Sequence, residues 1–491
     1  MKKSIFILLL FVGILSAYSQ TSFVTSYGDN SGEIPLCISQ IGNSYYIGQQ
    51  YNYEQVTFWR YARMLKMNAG GEILSSIIFP VEDSSYSDID RIVAVSSSEF
   101  LAIGGFRHKG SPNAQLWVMK MDTSLNIIWD KKYFTNRPFT TNISVVENPD
   151  GNLLIGLGLT TGNPNHYHSL MFLEISKDGD SLQSRFFSSG SPFSTDIQSL
   201  IWVNGQYKAF VEGYQSYTGP NCFSQIMQLD SSLNLVEVRP TPYIIQSYMS
   251  AEKMNDSIYY LAGLAIIQTQ IDVGIARLSY MEDSLAFNHA GKPGEIDDYS
   301  GWMKCLSIAN SNSIYTGGTA NDYFTFYSCP STNKVLMLSN YDSLLICRWI
   351  RFYGSDTACY TLSTLEATSD GGCIVGGMFV TPSRPENMLD VVILKVDSLG
   401  LFTNLSKNAV VRVQDAIVYP NPGHDYLVIQ SGPQIAGAGF RLYDAAGCAV
   451  LESKLNTTNE QMATSTLPPG VYSWQIIHKG KIIEQGKWVK Y

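Results

Sequence analysis

The sequence predicts an all-β protein: a seven-bladed β-propeller followed by a small immunoglobulin-like β-sandwich. Three observations carry that prediction. A strand-and-turn phrase returns seven times, a glycine-bearing strand precedes each return in the same phase, and the stretch from Ile417 to Tyr491 is a separate run of short alternating strands and turns.

The recurring phrase is an apolar strand that ends at an Asp, Asn or Ser turn, as in Val118-Met119-Lys120-Met121-Asp122. Its last apolar residues are Met67, Met121, Ile175, Leu229, Leu278, Leu338 and Val396, spaced by 54, 54, 54, 49, 60 and 58 residues. Before each lies an apolar strand with a glycine, at Gly48, Gly105, Gly158, Gly213, Gly263, Gly318 and Gly377. Glycine weakens a strand, so its repeated placement implies close backbone approach, as where inner strands crowd a central axis. Alternating runs such as Ile143-Ser144-Val145-Val146 before the glycine strand and Ile127-Ile128-Trp129 after the turn bring each unit to four strands. This pattern reads as propeller blades. The alternatives are a β-solenoid, whose coils are usually shorter, or a row of separate sandwiches, which need several units each to bury a core.

A ring must close. Trp349-Ile350-Arg351-Phe352-Tyr353-Gly354 forms the fourth strand of the sixth unit, and Phe23-Val24-Thr25-Ser26-Tyr27-Gly28 has the same shape with no complete unit before it. Residues 22 to 28 are therefore expected to pair into the seventh blade, replacing the weak strand at Leu401 to Leu405 and removing a free sheet edge.

The tail opens with Tyr419-Pro420-Asn421-Pro422, whose prolines fix φ and withhold backbone donors, forcing a turn before the first strand. Asp444-Ala445-Ala446-Gly447 between two alternating runs is a hairpin signal, with Gly447 free to take positive φ. Gly470-Val471-Tyr472 follows, and Gly486-Lys487-Trp488-Val489-Lys490-Tyr491 is a basic, strand-like ending. In order and spacing these elements resemble the type A C-terminal sorting domain of type IX secretion system cargo. The resemblance implies that Tyr419, Pro420, Asn421, Pro422, Asp444, Gly447, Gly470, Val471, Tyr472, Gly486 and Lys487 carry the sorting motif. It also implies partners in the type IX machinery and its sortase, and delivery across the outer membrane, often with cleavage of the tail and attachment of the body to the surface. Cys448 and Pro469 depart from the common pattern. The phrases Asp370 to Gly377 and Val392 to Gly400 resemble repeats of secreted propellers that accompany this domain, which bears on architecture and not on function.

Lys2 and Lys3 before the apolar run Ile5 to Leu15, with Ala17-Tyr18-Ser19 after it, read as a signal peptide over residues 1–19 with Gln20 as the mature N-terminus. No later run approaches the ~18 to 20 apolar residues of a membrane span. The expected organisation is signal peptide 1–19, propeller 20–405, linker 406–415 and sorting domain 416–491.

Composition excludes more than it assigns. A net charge of −9 with 15% charged residues argues against nucleic acid. The 30 tyrosines suit a surface for sugars or proteins, although tyrosine also packs well between strands. Eight cysteines in an exported chain permit disulfides, for which Cys329 with Cys347, or Cys347 with Cys359, are the candidate pairs. Their spacing fits no metal pattern, and neither a metal nor a cofactor is expected.

Candidate chemistry is thin. His166-Tyr167-His168 offers two imidazoles without a placed third ligand, and its Gly-, Asn- and Pro-rich surroundings read as a solvated loop. Lys177-Asp178-Gly179-Asp180 lacks the length and closing Glu of an EF-hand and reads as a repeat turn. Glu295, Asp297 and Asp298 form the acidic cluster suited to glycoside chemistry, against the plainer reading of a solvated carboxylate run. Asp-Ser-Leu recurs at Asp180, Asp283, Asp342 and Asp397 and resembles short bacterial O-glycosylation sequons, but the repeat turn itself favours Asp and Ser. The expectation is an exported, surface-attached or secreted propeller that binds glycan or protein. The alternative is an extracellular glycan hydrolase or lyase with carboxylates at the propeller mouth.

Overall fold

The computed structural model describes residues 21–491 except 29–31, 55–58, 80–83, 109–110, 112–113, 135–138, 160–168, 189–193, 215–221, 243–244, 268–269, 293–296, 323–328, 330–333, 356, 383–388, 403–411, 414–415, 420–422, 432–436, 458 and 479–480. The proposed signal peptide, the His166–His168 segment, Glu295 and the Pro420–Pro422 turn lie outside the described residues. All regular elements described are strands.

The third repeat shows the unit: Phe139–Glu147, Leu153–Leu159, Ser169–Ile175 and Ser181–Ser188 lie side by side, antiparallel, in chain order. The same antiparallel order recurs along the body, as separate four-stranded sheets in the fourth and fifth repeats and within the larger sheets that hold the first, second and sixth. The first and second are joined through Ser84–Ser87, which bridges Arg60↔Tyr86 on one side and pairs with Glu99–His108 on the other. The first strand of each unit packs against the first strands of its neighbours, and Glu33–Ile41 meets Cys359–Ala367 to complete the circle. The units are therefore blades of a β-propeller with these strands innermost. Both sheet faces are buried against neighbouring blades, which is why inner and middle strands are apolar on both sides, as in Leu154, Phe172, Ile197, Tyr207 and Leu229 between the third and fourth blades.

Closure comes from the far end of the chain. Phe23–Tyr27 runs antiparallel to Asp390–Val396, from Phe23↔Lys395 to Tyr27↔Val391, as the outermost strand of the seventh blade. The same strand grips the first blade. Phe23 packs tilted against Tyr45 with ring centroids 6.0 Å apart, and Thr25 Oγ1 donates to Gly71 O at 2.7 Å.

The repeated glycines sit one strand farther out than crowding at the axis implies. Each is in the second strand of its blade and, Gly213 excepted, opposite irregular or interrupted register in the inner strand, as at Leu362/Thr364 and Ser247/Ser250. A Cβ would come within 2.6 Å of Ser247 O at Gly263, 2.2 Å of Tyr299 O at Gly318 and 2.8 Å of Thr361 O at Gly377. The crowding partner is thus the carbonyl of a bulged inner strand in the same blade.

The two faces of the ring differ. On one, third and fourth strands join through four-residue turns capped by their own side chains. Asp122 Oδ1 accepts from Ser124 N and Asn126 N at 2.8 and 2.9 Å, and Ser176 Oγ from Asp178 N and Asp180 N at 3.3 and 3.1 Å. Tyrosines rivet these turns to the preceding blade: Tyr46 OH donates to Thr123 O, Tyr260 OH to Ser343 O and Tyr353 OH to Gly400 O, at 2.8, 2.8 and 2.9 Å. Much of the tyrosine content therefore serves blade packing. On the opposite face the second and third strands are joined by the longer connections 160–168, 215–221, 321–334 and 381–389.

The disulfide differs from both sequence candidates. Cys329 bonds to Cys359, Cα atoms 5.3 Å apart, tying the 321–334 connection to the innermost strand of the seventh blade. Cys347 is a free thiol in the outer strand of the sixth blade, packed toward the fifth-blade residues Ile258 and Tyr260, which removes it from either partner.

The tail has its own core. Its strands form sheets of three (Ala416–Tyr419, Tyr426–Ser431, Asn459–Ala463) and four (Gly439–Tyr443, Ala449–Lys454, Gly470–His478, Lys481–Lys490). Leu427, Ile429, Phe440, Trp474, Ile476 and Trp488 fill the space between them. This is a β-sandwich.

Two stability outcomes follow. In protein lacking the tail, deleting residues 22–28 should lower the melting temperature far more than deleting 404–410, because each large buried side chain lost is worth roughly 1.5–3 kcal/mol. Equal melts would refute closure by this strand. Reduction of Cys329–Cys359, or Cys329→Ser, should cost roughly 3–4 kcal/mol in chemical denaturation for the 30-residue separation it spans.

Candidate functional site

Sequence patterning placed candidate chemistry in three spots, two of which fall on described residues. Lys177 to Asp180 is a repeat turn, with Gly179 at φ +76° and its acids facing cations: Asp178 Oδ1 is 3.3 Å from Lys120 Nζ, Asp180 Oδ1 3.1 Å from Lys131 Nζ. Asp297 and Asp298 lie on the long-connection face, but their carboxylates hold backbone in place. Asp297 Oδ1 accepts from Ile271 N at 2.9 Å. Asp298 Oδ1 accepts from Asn321 N at 2.8 Å, while its Oδ2 takes the Lys292 N–H. Burial pushes Asp298 up to about 6, the two backbone donors pulling the other way. The pair clamps the fifth blade to the sixth, so that neither of these two carboxylates is poised toward solvent as an acid–base couple.

Three further pairs on this face are matched in the same way. Glu33 pairs with Arg63 at 2.6 Å, Lys334 with Asp322 at 2.9 Å, and the more open His289 Nδ1 with Asp272 Oδ2 at 2.6 Å. Asp88 accepts from Gly105 N at 2.6 Å and from the Tyr86 hydroxyl, pinning the second inner strand where it bulges. The sorting-motif positions are likewise resolved into physical roles. Asp444 Oδ1 caps its hairpin through Ala446 N and Cys448 N, both at 2.9 Å, and Gly447 has φ +80°. Gly486 is required because a Cβ there would lie 2.5 Å from the Trp474 indole. Tyr472 is buried and donates to Pro468 O at 2.6 Å, while Val471 and Lys487 are exposed. Gly470 pairs with Lys490 in the closing hairpin, and Tyr419 pairs with Val428.

The inner strands enclose a cavity of about 360 Å³ that sequence reasoning did not anticipate. Its walls come from inner-strand residues at or beyond the bulges, among them Ile92, Val145, Gln198, Trp202, Lys304 and Glu366. Exposure rises along these strands toward Glu147 and Lys253, so the cavity opens as a well on the capped-turn face. Three consecutive blades contribute an ion triad. Lys304 Nζ lies 2.8 Å from Glu252 Oε1 and 2.6 Å from Glu366 Oε2, and Glu252 Oε2 also accepts from Ile308 N at 2.8 Å. Burial works against the ammonium, but the two glutamates more than reverse it and hold its pKa above the ordinary 10.5. Burial raises Glu366, with Lys304 opposing. Across the well, Arg91 reaches from the second blade to Met303 O in the sixth at 3.4 Å. No motif announces this site, because its residues are one per repeat and meet only when the ring closes.

Residues 417–490 match the secretion system C-terminal sorting domain family, and the chain is a type IX secretion cargo by that tail. No curated protein matches the chain. Among solved structures it is similar to Drosophila Semaphorin 2a (7% identity, TM-score 0.43, covering 96% of this chain and 98% of that one). It is also similar to a Penicillium chrysogenum α-L-arabinanase complexed with arabinobiose (12%, 0.41, 65% and 95%). A third similar structure is a protein of unknown function from Dyadobacter fermentans (9%, 0.45, 76% and 99%). Likenesses this distant carry no statement about activity.

The triad gives a signed prediction. Because Lys304 has its pKa raised on folding, its contribution is fully present below 10.5 and is lost as pH climbs through the folded value. At neutral pH, Lys304→Met should cost roughly 1–3 kcal/mol, below the figure for a fully buried pair because the three side chains keep some solvent contact in the well. Adding Glu252→Gln and Glu366→Gln should recover most of the loss. Denaturant melts check both, and a neutral single variant would rule out a stabilising triad.

Proposed function

We propose that this protein is an exported β-propeller that binds an extracellular glycan or protein through its long-connection face. In this reading residues 1–19 direct passage to the periplasm, residues 416–491 engage the type IX machinery and its sortase, and the body acts on the cell surface or in the medium. The observation that carries the proposal is the asymmetry of the ring. One face spends its side chains on capped turns, while the other bears connections longer than blade geometry requires, the arrangement by which rigid scaffolds present binding residues.

Binding is favoured over hydrolysis because glycoside chemistry needs two carboxylates flanking a substrate. Asp297 and Asp298, the described members of the candidate acidic cluster, are instead bonded to backbone amides of neighbouring strands. A glycan array and a surface-protein pull-down, run beside a hydrolysis screen on the same preparation, test the reading. Retention of a ligand without turnover, lost when connection 160–168 or 215–221 is exchanged for a short Gly-Ser turn, supports it. Turnover of a glycan would replace it with the hydrolase or lyase reading.

Export has its own test. Deleting Ile417 to Tyr491 should leave a folded body confined to the periplasm, since body and tail have separate cores. Normal levels of the truncated protein on the surface or in the medium would refute it.

A further inference from the structure

The cations of the central well are matched within the protein. Arg91 has neighbouring Asp90 as its electrostatic partner and donates to Met303 O at 3.4 Å. Lys304 sits between Glu252 and Glu366, Lys253 lies 3.1 Å from Asp256, and Lys177 lies 2.7 Å from Glu147. What the well leaves unmatched is uncharged. Gln198 and Ser144 line it and are only 8% and 4% exposed, yet among the described residues neither the Gln198 amide nor the Ser144 hydroxyl has a hydrogen-bond partner. Gln198 is the extra residue of a bulge: Ile197 pairs with Val211 and Ser199 with Phe210, so Gln198 has no place in the ladder and its side chain turns to the axis. Neighbouring hydroxyls tie strands together instead, Ser199 Oγ accepting from Ala251 N at 3.0 Å and Ser250 Oγ from Cys305 N at 2.9 Å. A buried polar group without a partner is costly, so the amide and hydroxyl that face the well call for hydrogen bonds from outside the chain.

We propose that the well binds one neutral pyranose, its ring hydroxyls on Gln198 and Ser144 and one sugar face against Trp202. The cavity of about 360 Å³ is at the small end for ligand sites and holds one monosaccharide-sized molecule. A carboxamide both donates and accepts, and so does a serine hydroxyl, which suits a sugar hydroxyl and gives no preference to an ion. Trp202 packs edge-on against Tyr207, with ring centroids 4.5 Å apart and an interplanar angle of 72°, which fixes the indole as a wall of the well. A charged sugar would carry its charge into a shielded place where the opposing charges are already engaged. The well opens on the capped-turn face, opposite the long connections, so the site is independent of whatever binds there.

The test is saturation-transfer NMR and titration of the full mature protein with glucose, galactose and mannose, beside glucuronate and glucosamine as charged probes. At least one neutral sugar should bind, and more tightly than either charged probe. Gln198→Leu should weaken that sugar roughly 3- to 30-fold and Ser144→Ala roughly 2- to 10-fold, as for two neutral hydrogen bonds and one. Both variants should melt no lower than the wild type, because the groups removed hold nothing within the chain, and this separates a lost contact from a lost fold. A markedly lower melt in both would show that the two groups serve the fold and would count against the proposal. Absence of neutral-sugar binding to the wild type at tens of millimolar overturns it, as does tighter binding of either charged probe or equal affinity in the wild type and both variants. Binding abolished by exchange of connection 160–168 or 215–221, yet unchanged by Gln198→Leu, would put the sugar on the long-connection face, overturning this site while sustaining the proposed function.

Discussion

The ring exists because residues near the start of the chain pair with residues near the end of the body. Phe23–Tyr27 against Asp390–Val396 is an ordinary antiparallel ladder, yet it joins positions such as Val24 and Leu394 that every other blade separates. Apart from the seam between Glu33–Ile41 and Cys359–Ala367 and the reach of Arg91 to Met303, the contacts between blades run from one repeat to the next. A row of such repeats would leave a free edge at each end. Closing the row turns two edges into one shared blade and brings seven inner strands around a common axis. The bulges, the glycines facing them and the central well all presuppose that circle.

The interior of the circle is held by polar as well as apolar contacts, and this shapes what the site can do. Ser363 donates to Pro35 O at 2.5 Å across the closing seam, and Ser250 accepts from Cys305 N at 2.9 Å. Such bonds let inner strands approach without bulky side chains, leaving room on the axis. Charged groups in that room lie close together in a shielded place, where an unmatched charge is costly. Carboxylates on the opposite face have been absorbed by the same demand. Asp297 and Asp298 look like chemistry in the sequence and are fasteners in the fold.

Much of the architecture was legible in the sequence because it is repeated. Seven phrases in one phase mark the third strands, the glycines mark the second, and Phe23–Tyr27 was identifiable by its likeness to the outer strand at Trp349–Gly354. The sorting tail was legible from its turns, and Gly447 takes the positive φ its hairpin demands. Three things were not legible. The glycines were read as crowding the axis, but a strand bulge is set by register and leaves no mark on composition. Cys329–Cys359 was missed because spacing along the chain cannot show that a long connection in one blade folds over the next. The well was invisible because Arg91, Glu252, Lys304 and Glu366 are unremarkable singly, and only the ring makes them neighbours.

The capped turns divide labour within each repeat. Strand register in a blade is fixed where Asp, Asn or Ser folds its side chain back onto the next few amides, and those turns are riveted by tyrosine to the adjacent blade. Among the described residues the other face is held by single ties, such as Cys329–Cys359 and Asp298–Asn321, and not by a cap repeated from blade to blade, so lengthening a connection away from such a tie costs only the slowly growing entropy of a larger loop, about 0.6 kcal/mol per doubling. Inheritance can therefore act on the two faces at different rates. A lineage carrying this ring is free to rewrite one surface, by insertion as readily as by substitution, while the opposite surface keeps the spelling that makes the blades form.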